Sequence, residues 1–160
     1  MAIQVGDRIP DLSLKTMRDG SIEEVKTADF FGGRKVVLFA VPGAFTPTCS
    51  AKHLPGFVEK ADAIKAKGVD EIACVSVNDV FVMGAWADAQ GSGDKVTLLA
   101  DGSGDLARAI DLEFDGTNFG MGMRCQRFAA IVDDGEVTLL NVEAPAKFEV
   151  SDADTILAAL

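Results

Sequence analysis

The chain has little of what many reactive sites are built from. It carries one histidine, His53, so no cluster of imidazoles can hold a metal. There is no G-x-x-x-x-G-K-[ST] phosphate loop, no CxxC pair and no ladder of carboxylates for a cation. Its three cysteines, Cys49, Cys74 and Cys125, are odd in number and far apart, which does not make a disulfide framework. A reducing, cytoplasmic compartment is the expectation. Basic residues are outnumbered: 15 Lys and Arg against 25 Asp and Glu leave a net charge of −10. That balance argues against nucleic acid or an anionic membrane as a partner through bulk electrostatics. No apolar run approaches the length of a membrane span. Met1 to Asp7 lacks a basic region followed by an apolar core, so no secretory signal is expected, and Asp7 fits a transit peptide poorly. Internal repeats, linkers and low-complexity segments are absent as well.

What is present suits one packed domain over residues 1–160. Apolar residues make up 48% of the chain, and this length buries roughly two-thirds of the unfolded surface. Asp11 to Leu14 alternates like a strand, and Asp19-Gly20 can close a hairpin. Ala28 to Gly33 reads as a short helical turn stopped by glycines. Buried strands are expected at Val36 to Val41, Glu71 to Val77 and Val96 to Ala100. Between them the spacing predicts a helix from Pro47 to about Lys67, interrupted near its start by Pro55, and one capped by Asn78-Asp79 that runs to about Ala89. A short helix follows from Asp101 to about Ile110. Arg127 to Asp133 and Val137 to Val142 form a hairpin about Asp134-Gly135, and Ser151 caps a last helix. This alternation gives an α/β fold with a mixed central sheet flanked by helices.

Val41-Pro42-Gly43-Ala44-Phe45-Thr46-Pro47-Thr48-Cys49-Ser50 lies where the first buried strand hands over to a helix. With Thr46 as N-cap and Pro47 as first helical residue, Cys49 is third in the helix, among unpaired amides and the positive end of the dipole. Such a position favours a thiolate, which is the nucleophile. Position alone leaves open that Cys49 is a small buried hydrophobe, as most free cysteines are.

The ten residues resemble a known signature. Pro42-x-x-x-Thr46-x-x-Cys49 is similar to the active-site loop of the peroxiredoxins. The longer string through His53-Leu54-Pro55-Gly56-Phe57 resembles their type II, peroxiredoxin-5-like branch. The resemblance runs over essentially the whole chain and implies a thioredoxin-like fold. It also implies a thiol peroxidase that reduces hydrogen peroxide and organic hydroperoxides through a sulfenic acid on Cys49. No metal, haem or flavin is implied, only an external thiol, glutathione with glutaredoxin or thioredoxin. A homodimer is implied too.

Residue by residue, the resemblance makes Cys49 the peroxidatic cysteine and Pro42 a shield against water, and Thr46, three residues before the sulfur, is expected to accept from the peroxide and donate to the sulfur. The invariant arginine maps onto Arg127, directly before Phe128-Ala129-Ala130-Ile131-Val132-Asp133-Asp134-Gly135. Arg124 matches a second arginine of the type II branch. Gly43, Phe45, Thr48, His53 and Arg124 are expected to bind substrate. Cys74 matches a second cysteine of some type II members, yet it sits mid-strand in an apolar run that suits an inert thiol. Residues 141–160 hold no cysteine, so the C-terminal resolving route of some relatives is absent. Cys125, between Arg124 and Arg127, would have a lowered pKa if exposed. A one-cysteine cycle is therefore expected.

Three rival readings remain open at this level. His53 lies four residues past Cys49 on the same helix face, so a Cys–His pair for acyl transfer is conceivable, but no oxyanion hole or orienting group accompanies it. A redox sensor would need the same sulfur without turnover. Gly102-Ser103-Gly104-Asp105-Leu106-Ala107 has the G-x-G-x-x-A form of a dinucleotide loop. Asp101 and Asp105 put negative charge where pyrophosphate would lie, and the motif reads better as a helix cap.

Overall fold

A computed structural model describes all residues 1–160. In β3 (Lys35–Ala40) every residue after the first is buried, and its side chains feed two cores in alternation. Val37 and Phe39 point to one face of the sheet, and Val36, Leu38 and Ala40 to the other. Both faces of the strand are covered, which is why it reads as an unbroken apolar run instead of an alternating one.

Seven strands form one mixed sheet: β1 (Ser13–Arg18), β2 (Ser21–Lys26), β3, β4 (Glu71–Ser76), β5 (Thr97–Ala100), β8 (Phe128–Asp133) and β9 (Glu136–Val142), in the order β2-β1-β5-β4-β3-β8-β9. β3, β4 and β5 run parallel, and β1, β2, β8 and β9 complete the sheet through antiparallel pairs. α2 (Leu54–Lys65), α3 (Val80–Gln90) and α5 (Ala153–Ala159) pack on one face around Phe39, Phe57, Met83 and Trp86. α1 (Thr27–Phe31) and α4 (Asp105–Ala109) cover the other around Phe31, Leu38, Leu106 and Phe128. The mixed sheet flanked by helices is the architecture the patterning predicts.

Local chemistry accounts for most boundaries. Asp134 and Gly135 both take positive φ, 50° and 79°, the pair of left-handed residues a two-residue hairpin turn requires. Asp79 caps α3 by accepting from the Val82 amide at 2.9 Å. Three expectations need correction. The helix after Pro47 is not uniform: Cys49–His53 is a π-type turn, and α2 proper starts at Leu54. Ser151 is not the cap of α5, because Asp152 takes that place while the Ser151 hydroxyl donates to Glu143. The segment read as loose between α4 and β8 contains a small separate sheet, β6 (Glu113–Asp115) paired with β7 (Met123–Cys125). Its three-residue strands are too short to show an alternation.

Candidate active site

The loop leaving β3 is held by its own polar groups and by two distant side chains. The Ala44 amide donates to Asn78 Oδ1 at 3.0 Å, and the Arg124 guanidinium donates to the Pro42 carbonyl at 3.2 Å. Thr46 Oγ1 donates to the Gly43 carbonyl at 2.7 Å instead of capping the helix or donating to the sulfur. That donation spends its proton and leaves its lone pairs free to accept. Phe45 has φ of 64°, a conformation costly for a bulky residue and one that persists only where neighbours enforce it. The helix begins at Pro47, as expected, with the Ser50 amide donating to the Thr46 carbonyl at 2.9 Å. It widens at Cys49–His53, where the Leu54 amide reaches back five residues to the Cys49 carbonyl. Pro55 explains the widening, since it has no N–H to continue the ladder and its ring would crowd the carbonyl four residues earlier.

Arg127 reaches the sulfur through strand register. β8 pairs antiparallel with β3, with Phe128 opposite Ala40, so the residue before Phe128 emerges beside the start of the Cys49 loop. Its Nη2 donates to Cys49 Sγ at 3.1 Å. Its Nη1 is 2.7 Å from His53 Nδ1. A guanidinium only donates, so Nδ1 must accept, and the proton of the neutral ring sits on Nε2. From there it donates to the Ser151 carbonyl at 2.9 Å. Burial, and then the positive charge of Arg127, lower the His53 pKa to about 3, outweighing the opposing pull of the Ser151 carbonyl, Glu143 and Asp152. His53 is thus a neutral acceptor that aims Arg127, and it cannot serve as a base toward Cys49 through the nitrogen already occupied.

The structure brings Cys49, Arg127 and His53 into one chain of contacts, with Thr46 on the loop entering the same helix. Cys49 is completely buried. Beside it opens a cavity of about 650 Å³ whose walls include Pro42, Thr48, Arg127, Phe119, Phe148 and Pro145. His53 has no exposed surface and does not line that cavity; it packs near it, behind Arg127. Arg124 clamps the loop, donating to the carbonyls of Met121 and Pro42. A Cβ at Gly43 would lie 2.9 Å from Arg124 Nη1, so a larger residue there would push aside the guanidinium that clamps the loop. The Gly43–Cys49 amides are not all available to a substrate, since those of Ala44 and Thr46 already have partners. Phe45 is 54% exposed and faces Trp86 across 6.5 Å between ring centroids.

Phe148 and Ser151 escaped the sequence reading. The Phe148 ring lies 5.7 Å from the Arg127 guanidinium carbon and 4.9 Å from the His53 ring. Ser151 contributes a main-chain carbonyl, which no residue type signals.

All three cysteines are free and buried. Burial, and then the nearby Cys49, push the Cys74 thiol well above its ordinary value. The lowered pKa expected of Cys125 if exposed does not arise, because the residue is buried. Cys125 is buried in the opposite core from Cys49, and burial, aided by Asp101 and Glu113, pushes it up to about 12. At the Gly102–Ala107 motif the Asp101 carboxylate accepts from the amides of Leu106 and Ala107, both at 3.0 Å. A protein carboxylate holds the place a pyrophosphate would need, as the helix-cap reading expects.

Comparison with known proteins agrees with this geometry. Residues 4–157 match the Redoxin family model. The chain is 53% identical over 163 residues to a chloroplastic peroxiredoxin-2E-2 of Oryza sativa subsp. japonica, covering 99% of this chain and 72% of that protein. It is 48% identical to peroxiredoxin-2B of Arabidopsis thaliana, over 99% and 98% of the two chains. Among solved structures, reduced Prx3 of Vibrio vulnificus in complex with H2O2 superposes with a TM-score of 0.94 at 53% identity, covering 98% of each chain.

Proposed function

Since this chain belongs to the redoxin family and, within it, to the peroxiredoxins of thioredoxin-like fold, we propose that it reduces hydrogen peroxide and small organic hydroperoxides at Cys49, with glutathione and glutaredoxin restoring the sulfur. The observation that carries this reading is the 3.1 Å contact from Arg127 Nη2 to Cys49 Sγ, a cation set beside a nucleophile.

The chemistry follows from the geometry. The Cys49 thiolate attacks one peroxide oxygen, the O–O bond breaks, and sulfur gains an S–O bond. The departing oxygen leaves as hydroxide or alkoxide and is protonated to water or alcohol. Arg127 supplies donors where negative charge grows on that oxygen. Thr46, its proton committed to Gly43, accepts from the hydroperoxide O–H and so orients it. A first thiol then displaces hydroxide from the sulfenic acid as water, forming a mixed disulfide, and a second thiol releases Cys49.

The cavity is far larger than hydrogen peroxide needs, and its Phe119, Phe148 and Pro145 surfaces suit an alkyl or aryl hydroperoxide. Buried Cys74 and Cys125, with raised pKa values, support an external thiol over an internal resolving cysteine. Thioredoxin is the alternative reductant. Three free thiols suit a reducing compartment, and a cytoplasmic site is our reading, although the name of the rice relative places that protein in a chloroplast. No helix is long and apolar enough to cross a membrane. A homodimer, which the family resemblance implies, is part of this reading.

The test is a coupled peroxidase assay with hydrogen peroxide and cumene hydroperoxide, supplied with either glutathione and glutaredoxin or thioredoxin and its reductase. Many turnovers per Cys49 are expected with the first system. Undiminished turnover in Cys49→Ser would overturn the assignment.

A further inference from the structure

The segment that walls one side of the cavity and reaches behind Arg127 is tied down by one carboxylate. Glu143, at the end of β9, is 7% exposed and has no cationic partner within salt-bridge distance. Its carboxylate accepts instead from three successive amides, those of Glu149 at 2.9 Å, Val150 at 2.8 Å and Ser151 at 2.8 Å, and from the Ser151 hydroxyl at 2.7 Å. Consecutive N–H groups converging on one anion form a concave nest. Burial by itself would raise the Glu143 pKa, yet these hydrogen bonds overcome it and hold the group below the usual carboxylate range. The main chain adds a further tie, since the Glu143 amide donates to the Arg127 carbonyl at 2.9 Å.

The segment held this way includes two residues that reach the reactive centre. Ser151 presents the carbonyl that holds His53 Nε2, and Phe148 lies across Arg127 and His53. Glu143 borders the same cavity, but its carboxylate is hydrogen-bonded to the segment 149–151 and makes no hydrogen bond to Cys49 or to the Arg127 guanidinium. We propose that Glu143 is a positioning residue, a buried anion that closes the segment Ala144–Ser151 into a strap and thereby fixes the His53 tautomer and the aim of Arg127 at Cys49. This rests on the proposed peroxidase function for its kinetic consequence, but not for its structural one.

Glu143→Gln keeps the shape and turns one acceptor oxygen into a donor facing donors, so the nest loses its fit. Two measurements decide the matter. Because His53 is the only histidine, its ring 15N resonances are unambiguous. The wild type should show a single neutral form protonated at Nε2 near pH 7, and Glu143→Gln should show a mixture of tautomers. Peroxidase kcat/KM for hydrogen peroxide should fall about tenfold in the same variant, at a temperature where it is fully folded. Ser151→Ala removes one donor from the nest and leaves the carbonyl, and should move both readouts in the same direction by a smaller amount. A folded Glu143→Gln with an unchanged His53 signature, or with kcat/KM within twofold of wild type, overturns the proposal. If Glu143→Gln does not fold, Ser151→Ala decides on the same two readouts, and wild-type values for both overturn it. A wild type without hydroperoxide turnover would sink the peroxidase reading while leaving the imidazole measurement as a test of the strap.

Discussion

His53 Nδ1 accepts a 2.7 Å hydrogen bond from Arg127, whose other terminal nitrogen donates to Cys49 Sγ at 3.1 Å. One guanidinium therefore uses its two prongs on two different partners, and the planar fork fixes their relation. An ammonium has three donors, but all on one nitrogen, and lacks the planar fork that sets the two contacts apart. Arg127→Lys should lower kcat/KM for hydrogen peroxide by about 10- to 100-fold even though the charge is kept. Stopped-flow consumption of peroxide measures this, and a loss below threefold would contradict the two-pronged role.

The same pair sets the acid limit of stability. The folded His53 pKa is about 3 against an ordinary 6.5, so between these values the unfolded chain binds a proton that the folded chain refuses. Stability from this source is complete above pH 6.5 and falls as the pH drops toward 3, by an amount on the order of 5 kcal/mol at most. Urea unfolding at pH 7, 5 and 4 should show the decline. His53→Asn, which cannot acquire that proton, should show a flatter acid limb from a lower starting stability.

Thr46 separates orientation from packing. Thr46→Ser keeps the hydroxyl that donates to Gly43 and accepts from the peroxide, so it should retain kcat/KM within about threefold. Thr46→Val keeps the shape, leaves the Gly43 carbonyl without this donor and has no acceptor for the peroxide. It should fall by about 10- to 100-fold. Equal activity of the two variants would remove Thr46 from the mechanism.

Mass spectrometry after one equivalent of peroxide distinguishes the recycling routes. With glutathione present, wild type and Cys74→Ser should both carry one glutathione on Cys49, and Cys49→Ser should carry none. A Cys49–Cys74 disulfide in the wild type would replace the external-thiol cycle with an internal one.

Legibility in the sequence tracked the range of the interaction responsible. The β8–β9 turn was readable because Asp134-Gly135 supplies both positive-φ residues locally. The Cys49 loop and Arg127 were readable because residue type and spacing carry that chemistry. The state of Cys125 turns on its burial, which the sequence does not show, and not on its flanking arginines, which it does. Ser151 looked like a cap because serine favours that role, but a tertiary bond to Glu143 claimed its hydroxyl and Asp152 took over. The interruption by Pro55 was foreseeable. Its form, a wide turn that begins at the reactive cysteine, depends on how the following helix packs.

That wide turn bears on how the cycle must run. Cys49 has no accessible surface and does not line the neighbouring cavity, so neither a hydroperoxide nor a protein thiol meets the sulfur without movement. A hydroperoxide entering from that cavity needs only a small shift of its wall, whereas delivery of electrons by a macromolecule demands that Cys49–His53 come partly undone. Those five residues, already departing from regular helix, are the cheapest place to unwind. Tightening them, for instance by replacing Pro55, would be expected to spare the first half of the cycle and slow the second.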